Sequence, residues 1–272
     1  MMFRFLILVG YFELGMYLQL SGKLDQYINI HYSYLAYISM VLSLILAIVQ
    51  LIIWMKQLEM PSHLRTKSAK LASVFILLFP IAVGLLVPTA TLDSTTVSAK
   101  GYHFPLASGS SPTGESSDGT RVQYLKPDTS LYFTKASYNN EMKKALNKYK
   151  GSKPLKITSD NYMEVMELIY LFPDEFVGRE INYLGFVYND PKTENYQFLF
   201  RFGIIHCIAD SGVYGLLTKG ENIDLEDNNW VSVKGKLNLE YNQNLDQTLP
   251  VLSIENIQSV QEPDNPYVYR VF

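Results

Sequence analysis

The rhythm of hydrophobic and polar positions changes along the chain. In the first ninety-odd residues the apolar runs are long and unbroken. Three of them reach the ~20 residues that cross a hydrocarbon layer: Phe5 to Gly22, whose one charged residue is Glu13, and Tyr32 to Met55 and Leu71 to Leu92, which carry none until their ends. Beyond residue 93 the runs break up. Ala107 to Thr120 reads ASGSSPTGESSDGT, a composition that predicts a flexible connection. Helical spacing returns over Tyr138 to Tyr149, and again in a segment carrying Met163, Met166, Leu168, Ile169 and Leu171. Ser159 or Asp160 suits the start of that second helix and Pro173 its end.

From Gly178 the period becomes two. Strands are predicted over Arg179–Tyr188, Tyr196–Ile208, Gly212–Thr218, Trp230–Glu240 and Pro250–Gln258. In the fourth, Val231, Val233, Leu237 and Leu239 alternate with Ser232, Lys234, Lys236 and Asn238, as on a strand with one buried face and one wet face. Glycines inside several of these strands suit tight coiling.

The fold class expected is therefore N-terminal transmembrane α-helices plus an extracytoplasmic α+β, β-rich domain with a five-stranded OB-like barrel. The expected organisation is a three-helix transmembrane region over 1–92, a linker and flexible loop over 93–130, a helical lead-in over 131–177 and the OB-like barrel over 178–272. A cleaved signal peptide is the rival reading of the first apolar run. Glu13 within that run, and Ser21-Gly22-Lys23 as a poor cleavage site, favour retention as a helix. Between the second and third runs stand Lys56, Arg65, Lys67 and Lys70 against a single Glu59. Positive loops stay in the cytoplasm, which places the N-terminus inside and the C-terminal domain outside the cell. Pro80, Gly84 and Pro88 are expected to bend or end the third helix.

Composition sharpens this picture. Only 18% of the 272 residues are charged, below the roughly one quarter usual in soluble domains. The shortfall is local: residues 1–92 hold six basic and three acidic side chains, and the remainder 17 basic and 23 acidic. An acidic half without a basic face excludes nucleic acid as a partner. Cys207 is the one cysteine, so no intrachain disulfide can form. The C-terminal domain depends on its core alone, and its size suffices for that.

Two places carry candidate chemistry. Glu13 lies within an apolar span, where a lone carboxylate is costly and usually faces a partner or a wet path; the alternative is a helix shifted in depth or a protonated carboxyl. His206, Cys207 and Asp210 offer imidazole, thiolate and carboxylate, a donor set suited to zinc or copper. On an extended strand, however, neighbouring residues point to opposite faces. His206 then shares the inward face of Phe198, Phe200 and Phe202, with Cys207 on the other, unless the strand bends or ends at the turn signal Ala209-Asp210-Ser211-Gly212; the alternative to a metal site is a satisfied histidine beside an inert buried thiol. The same divergence argues against a Cys/His nucleophile pair. With no GxSxG, HExxH, Walker or CxxC pattern, no enzyme is expected.

Certain blocks resemble a known family. They are Val87-Pro88-Thr89-Ala90-Thr91-Leu92-Asp93-Ser94, Gly178-Arg179, Gly185-Phe186-Val187-Tyr188, Arg201-Phe202, Cys207-Ile208-Ala209-Asp210 and Trp230-Val231-Ser232-Val233-Lys234-Gly235. With the helical N-terminus, they make the whole chain similar to the YcgQ-like membrane proteins of Gram-positive bacteria. The resemblance implies a multi-pass, YcgR-like permease as partner and a role as its accessory subunit. Family members often carry two cysteines before the Ala-Asp. Here His206 and Cys207 stand there, which removes dithiol chemistry and keeps a metal ligand.

Overall fold

A computed structural model describes residues 2–58, 64, 66–87, 90–102, 135–151, 153–190, 193, 196–220, 225–243 and 247–271. The expected flexible stretch 107–120 and Pro88 lie outside these residues. The chain divides into two units, one over residues 1–90 and one over 91–272.

The helical unit holds α1 (Met2–Leu20), α2 (Ser33–Met55) and α3 (Lys67–Leu86). All three are long and apolar enough to cross a membrane. They pack as an open row with α1 in the middle. On one side Phe5 meets the Trp54 ring, and Gly15 lets Met40 approach. On the other, Gly10 lies against Ile81, Gly84 lies against Leu14, and the Tyr11 hydroxyl donates to the Leu77 carbonyl at 3.0 Å. Small residues at both seams allow this close approach. Between α1 and α2 the turn is organised by Asn29, which is fully buried and whose Oδ1 accepts from the His31 backbone N–H at 3.0 Å. α3 starts at a Thr66 cap, runs through Pro80 and ends at Leu86, six residues short of the expected Leu92.

The β-rich unit begins with α4 (Ser94–Lys100), a short helix within residues expected as linker. Local chemistry explains it. The Asp93 carboxylate accepts from the Thr95 and Thr96 N–H groups, and Val97 is 1% exposed in the core. Burying such a side chain contributes about 1.5–3 kcal/mol. After α5 (Lys135–Lys148) comes β1 (Leu155–Lys156), then α6 (Tyr162–Leu171). Neither Ser159 nor Asp160 caps α6. The residue before it is Asn161, whose Oδ1 accepts from the Thr158 N–H at 2.7 Å.

Then follow β2 (Glu180–Tyr188), β3 (Gln197–Ile204), β4 (Gly212–Lys219), β5 (Trp230–Asn242), β6 (Gln247–Ser259) and β7 (Val268–Tyr269). The five long strands pair in a closed ring, β2-β5-β6-β4-β3 and back to β2, with β1 and β7 added alongside β2 and β3. Within the ring β4 and β6 run parallel and every other pair is antiparallel. Two glycines make the tight closure sterically possible. A Cβ at Gly215 would stand 1.9 Å from the Leu199 carbonyl oxygen, and one at Gly235, beside a register shift in β5, 2.2 Å from that of Ser253. Ile181, Phe198, Leu216, Val231 and Leu252 fill the core. α6 lies across β3 and β4: Tyr162 and Tyr170 donate to the Tyr214 and Gly215 carbonyls at 3.2 and 2.8 Å.

Candidate functional site

The four residues singled out in the sequence fall in two places. Glu13 is on α1 and exposed. Phe5, Gly10, Tyr11, Leu14 and Gly15 make the seams to α2 and α3, and Glu13 turns away from both. Among the described residues nothing donates to its carboxylate.

His206, Cys207 and Asp210 are brought together, but not by a continuing strand. β3 stops at Ile204 and a 3-10 turn covers Ile208–Asp210. His206 is therefore exposed instead of lying on the inward face of the strand, because the chain turns before reaching it. Asp210 organises this turn. Its carboxylate accepts from the His206 N–H at 2.9 Å and the Cys207 N–H at 3.0 Å, and the His206 Nδ1 lies 2.8 Å from its Oδ2. Cys207 is half-buried. A metal here would compete with two backbone donors for Asp210. Among the described residues no group of three His, Cys, Asp or Glu side chains is poised to hold a metal ion.

Other charged groups are more deeply placed. Glu167 accepts from the Tyr138 hydroxyl and from Arg270 at 2.9 Å, with both charged side chains buried. Burial disfavours the charged form of Arg270, but the Glu167 carboxylate together with Tyr214 and Tyr138 outweighs that and leaves its pKa raised. This pair borders an open cleft of about 640 Å³, rimmed by the ion pairs Glu141–Lys144 at 2.6 Å and Lys148–Glu164 at 3.0 Å. The Tyr149 hydroxyl, also on the cleft, donates to Glu164 at 2.6 Å; burial and then this carboxylate push its pKa up. Arg201, 2% exposed, donates to the Pro266, Asn265 and Tyr267 carbonyls at 3.0–3.1 Å and to the Ser159 hydroxyl at 2.8 Å. It pins the C-terminal segment against β3. Desolvation lowers its pKa.

The sequence carried signals for both. Glu167 stands next to Leu168 and Ile169 in a helix whose one other charge is Glu164, and Arg201 interrupts a strand that after Gln197 is made of Phe, Leu, Ile and Gly. A charge in such a place is buried and must be satisfied.

Comparison with known proteins adds to this geometry. The DUF1980 N-terminal domain family matches residues 3–103, and the DUF1980 C-terminal domain family matches residues 132–270. A Streptococcus mutans protein named as a two-component membrane permease complex subunit is 72% identical over 271 residues, covering 100% of both chains. The UPF0703 protein YcgQ of Bacillus subtilis is 38% identical over 292 residues, again covering 100% of both. With both DUF1980 domains present and relatives matched from end to end, the chain belongs to the YcgQ-like family.

Proposed function

We propose that this protein is an accessory subunit of a membrane permease complex. It crosses the bilayer three times with its N-terminus in the cytoplasm, and its β-rich unit braces the complex on the extracytoplasmic side. The observation that carries this reading is the open row of helices. α2 and α3 both lean on α1, and almost all of their apolar surface, from Leu42 and Ile45 to Phe75 and Phe79, is exposed. Lipid covers part of such a surface. A row that encloses no path of its own fits an auxiliary part of a larger translocator, and the name of the Streptococcus mutans relative supports it. The partner is a multi-pass permease of the YcgR-like kind, and Glu13 is a contact to it.

The β-rich unit is an OB-like barrel in this reading. Strand order, ring closure and the one parallel pair within the ring, β4–β6, all support that form. OB folds commonly bind ligands on the face of their second and third strands, here β3 and β4. The Tyr102 ring packs on Phe198 and Phe200 of β3, which favours bracing over binding on that face. The cleft bordered by Glu167 and Arg270 is where a solute would enter if the unit binds one.

Purification of the tagged full chain from its own membranes in mild detergent tests the proposal. A multi-pass protein should accompany it in stoichiometric amount. A chain that elutes alone from membranes where that protein is present refutes it.

A further inference from the structure

The two seams of α1 leave one flank of that helix uncovered. At 3.6 residues per turn, Leu6, Glu13, Tyr17 and Leu20 fall on this flank, and all four are exposed. Glu13 sits seven residues before the helix end at Leu20, about two turns inside the apolar run. It is the one acidic side chain in α1, and α2 has no charged side chain at all. A carboxylate so placed needs a partner from outside the helical unit.

The chemistry narrows that partner. A carboxylate is an acceptor at both oxygens. A neutral donor supplies a hydrogen bond but leaves the charge uncompensated, whereas a basic side chain supplies both. A second copy of this chain is a poor fit. Two parallel α1 helices would set Glu13 beside Glu13, and Arg4, nine residues away, would lie about 13 Å off in depth. Resting on the subunit reading above, we infer that this flank of α1 docks a transmembrane helix of the permease that carries a Lys or Arg within its span. The basic group meets Glu13, and apolar residues one and two turns to either side pack on Leu6, Tyr17 and Leu20. The carboxylate then selects the partner and fixes the depth at which the two helices meet.

The full chain co-expressed with its permease tests this. Glu13→Gln and Glu13→Lys are compared with wild type for recovery of the complex, with the amount of membrane-inserted chain measured alongside. Recovery should fall at least about tenfold in Glu13→Lys and by less in Glu13→Gln, with insertion unchanged. Changing the matching Lys or Arg of the partner span to Glu should restore the Glu13→Lys complex. Full recovery with Glu13→Lys overturns the inference and leaves the subunit reading standing. So do photo-crosslinks from positions 6 and 17 that reach only a second copy. A wild-type chain that recovers no permease overturns the subunit reading, and this inference with it.

Discussion

The two units bury their hydrophobic residues very differently. In the β-rich unit Val165, Phe176, Ile181, Phe198 and Leu217 are sealed at 0% exposure, and Arg201 and the Glu167–Arg270 pair have their partners close by. In the helical unit only 6–11% of each spanning window is buried, and one carboxylate is left without a partner among the described residues. Both units are rich in apolar residues, although the helical one holds far fewer charges. The difference lies in what each is finished against: the β-rich unit against itself, and the helical unit, in the reading proposed above, against lipid and a further protein. A side chain should therefore matter for stability in the first and for association in the second.

The sharpest test of that contrast is Arg270→Met, which strands the Glu167 carboxylate in the core. A loss of about 3–5 kcal/mol is expected, read as a lowered denaturation midpoint of the β-rich unit. Adding Glu167→Leu should recover part of it, since no buried charge is then left uncompensated while the Tyr138 hydroxyl loses its Glu167 acceptor.

Next comes one substitution made in both units. Gly215→Ala pushes a Cβ into the Leu199 backbone carbonyl and should cost about 3 kcal/mol. Gly15→Ala meets only the flexible Met40 side chain and should cost less than about 1 kcal/mol. Equal effects in thermal unfolding would break the comparison.

A smaller effect is expected at Asp210. Asp210→Ala leaves the His206 and Cys207 N–H groups without their acceptor and should cost about 1–2 kcal/mol, measurable by chemical denaturation. If the carboxylate instead served a bound zinc, loss of stoichiometric metal in elemental analysis would be the main consequence.

The smallest effect concerns Asp93. Its hydrogen bond to the Thr95 hydroxyl, more than the cost of burial, holds its pKa below the ordinary value. A carboxyl depressed in the folded state stabilises above its unfolded pKa, and that contribution is lost as pH falls through the lower folded value. Asp93→Ala should cost about 1 kcal/mol at neutral pH and progressively less below pH ~4. Denaturation midpoints of the two proteins, followed across that range, should converge.

Periodicity makes much of this architecture legible, and its gaps have physical causes. The three apolar helices and the strand from Trp230 stand out because burial or lipid contact repeats at a fixed interval. α4 does not, because seven residues with one buried Val97 offer no repeat to detect. Its cue was chemical, an Asp before Ser-Thr-Thr. The strand expected through Ile208 stops at Ile204 for a related reason. What ends β3 is the carboxylate of Asp210 folding back on His206 and Cys207, a contact that apolar patterning does not register. Glu13 was visible at once, since one charge among apolar neighbours needs no structure to be noticed.

The β-rich unit is also fastened first residue to last. The Leu92 N–H is held by the Tyr267 hydroxyl at 3.0 Å, the Ser94 N–H by Asn228 at 2.7 Å, and Glu167 by Arg270. This has a consequence for the order of folding. A chain made from its N-terminus offers α4 long before the residues that hold it exist. Closure across some 175 residues must await the final stretch, and contacts so distant in sequence form slowly. Until then Val97 and the aromatic face around Phe198 and Phe200 are open to misassociation. Deleting only the last few residues, none of them in the ring, should therefore trap the unit unfinished and show itself as lost yield before any lost activity.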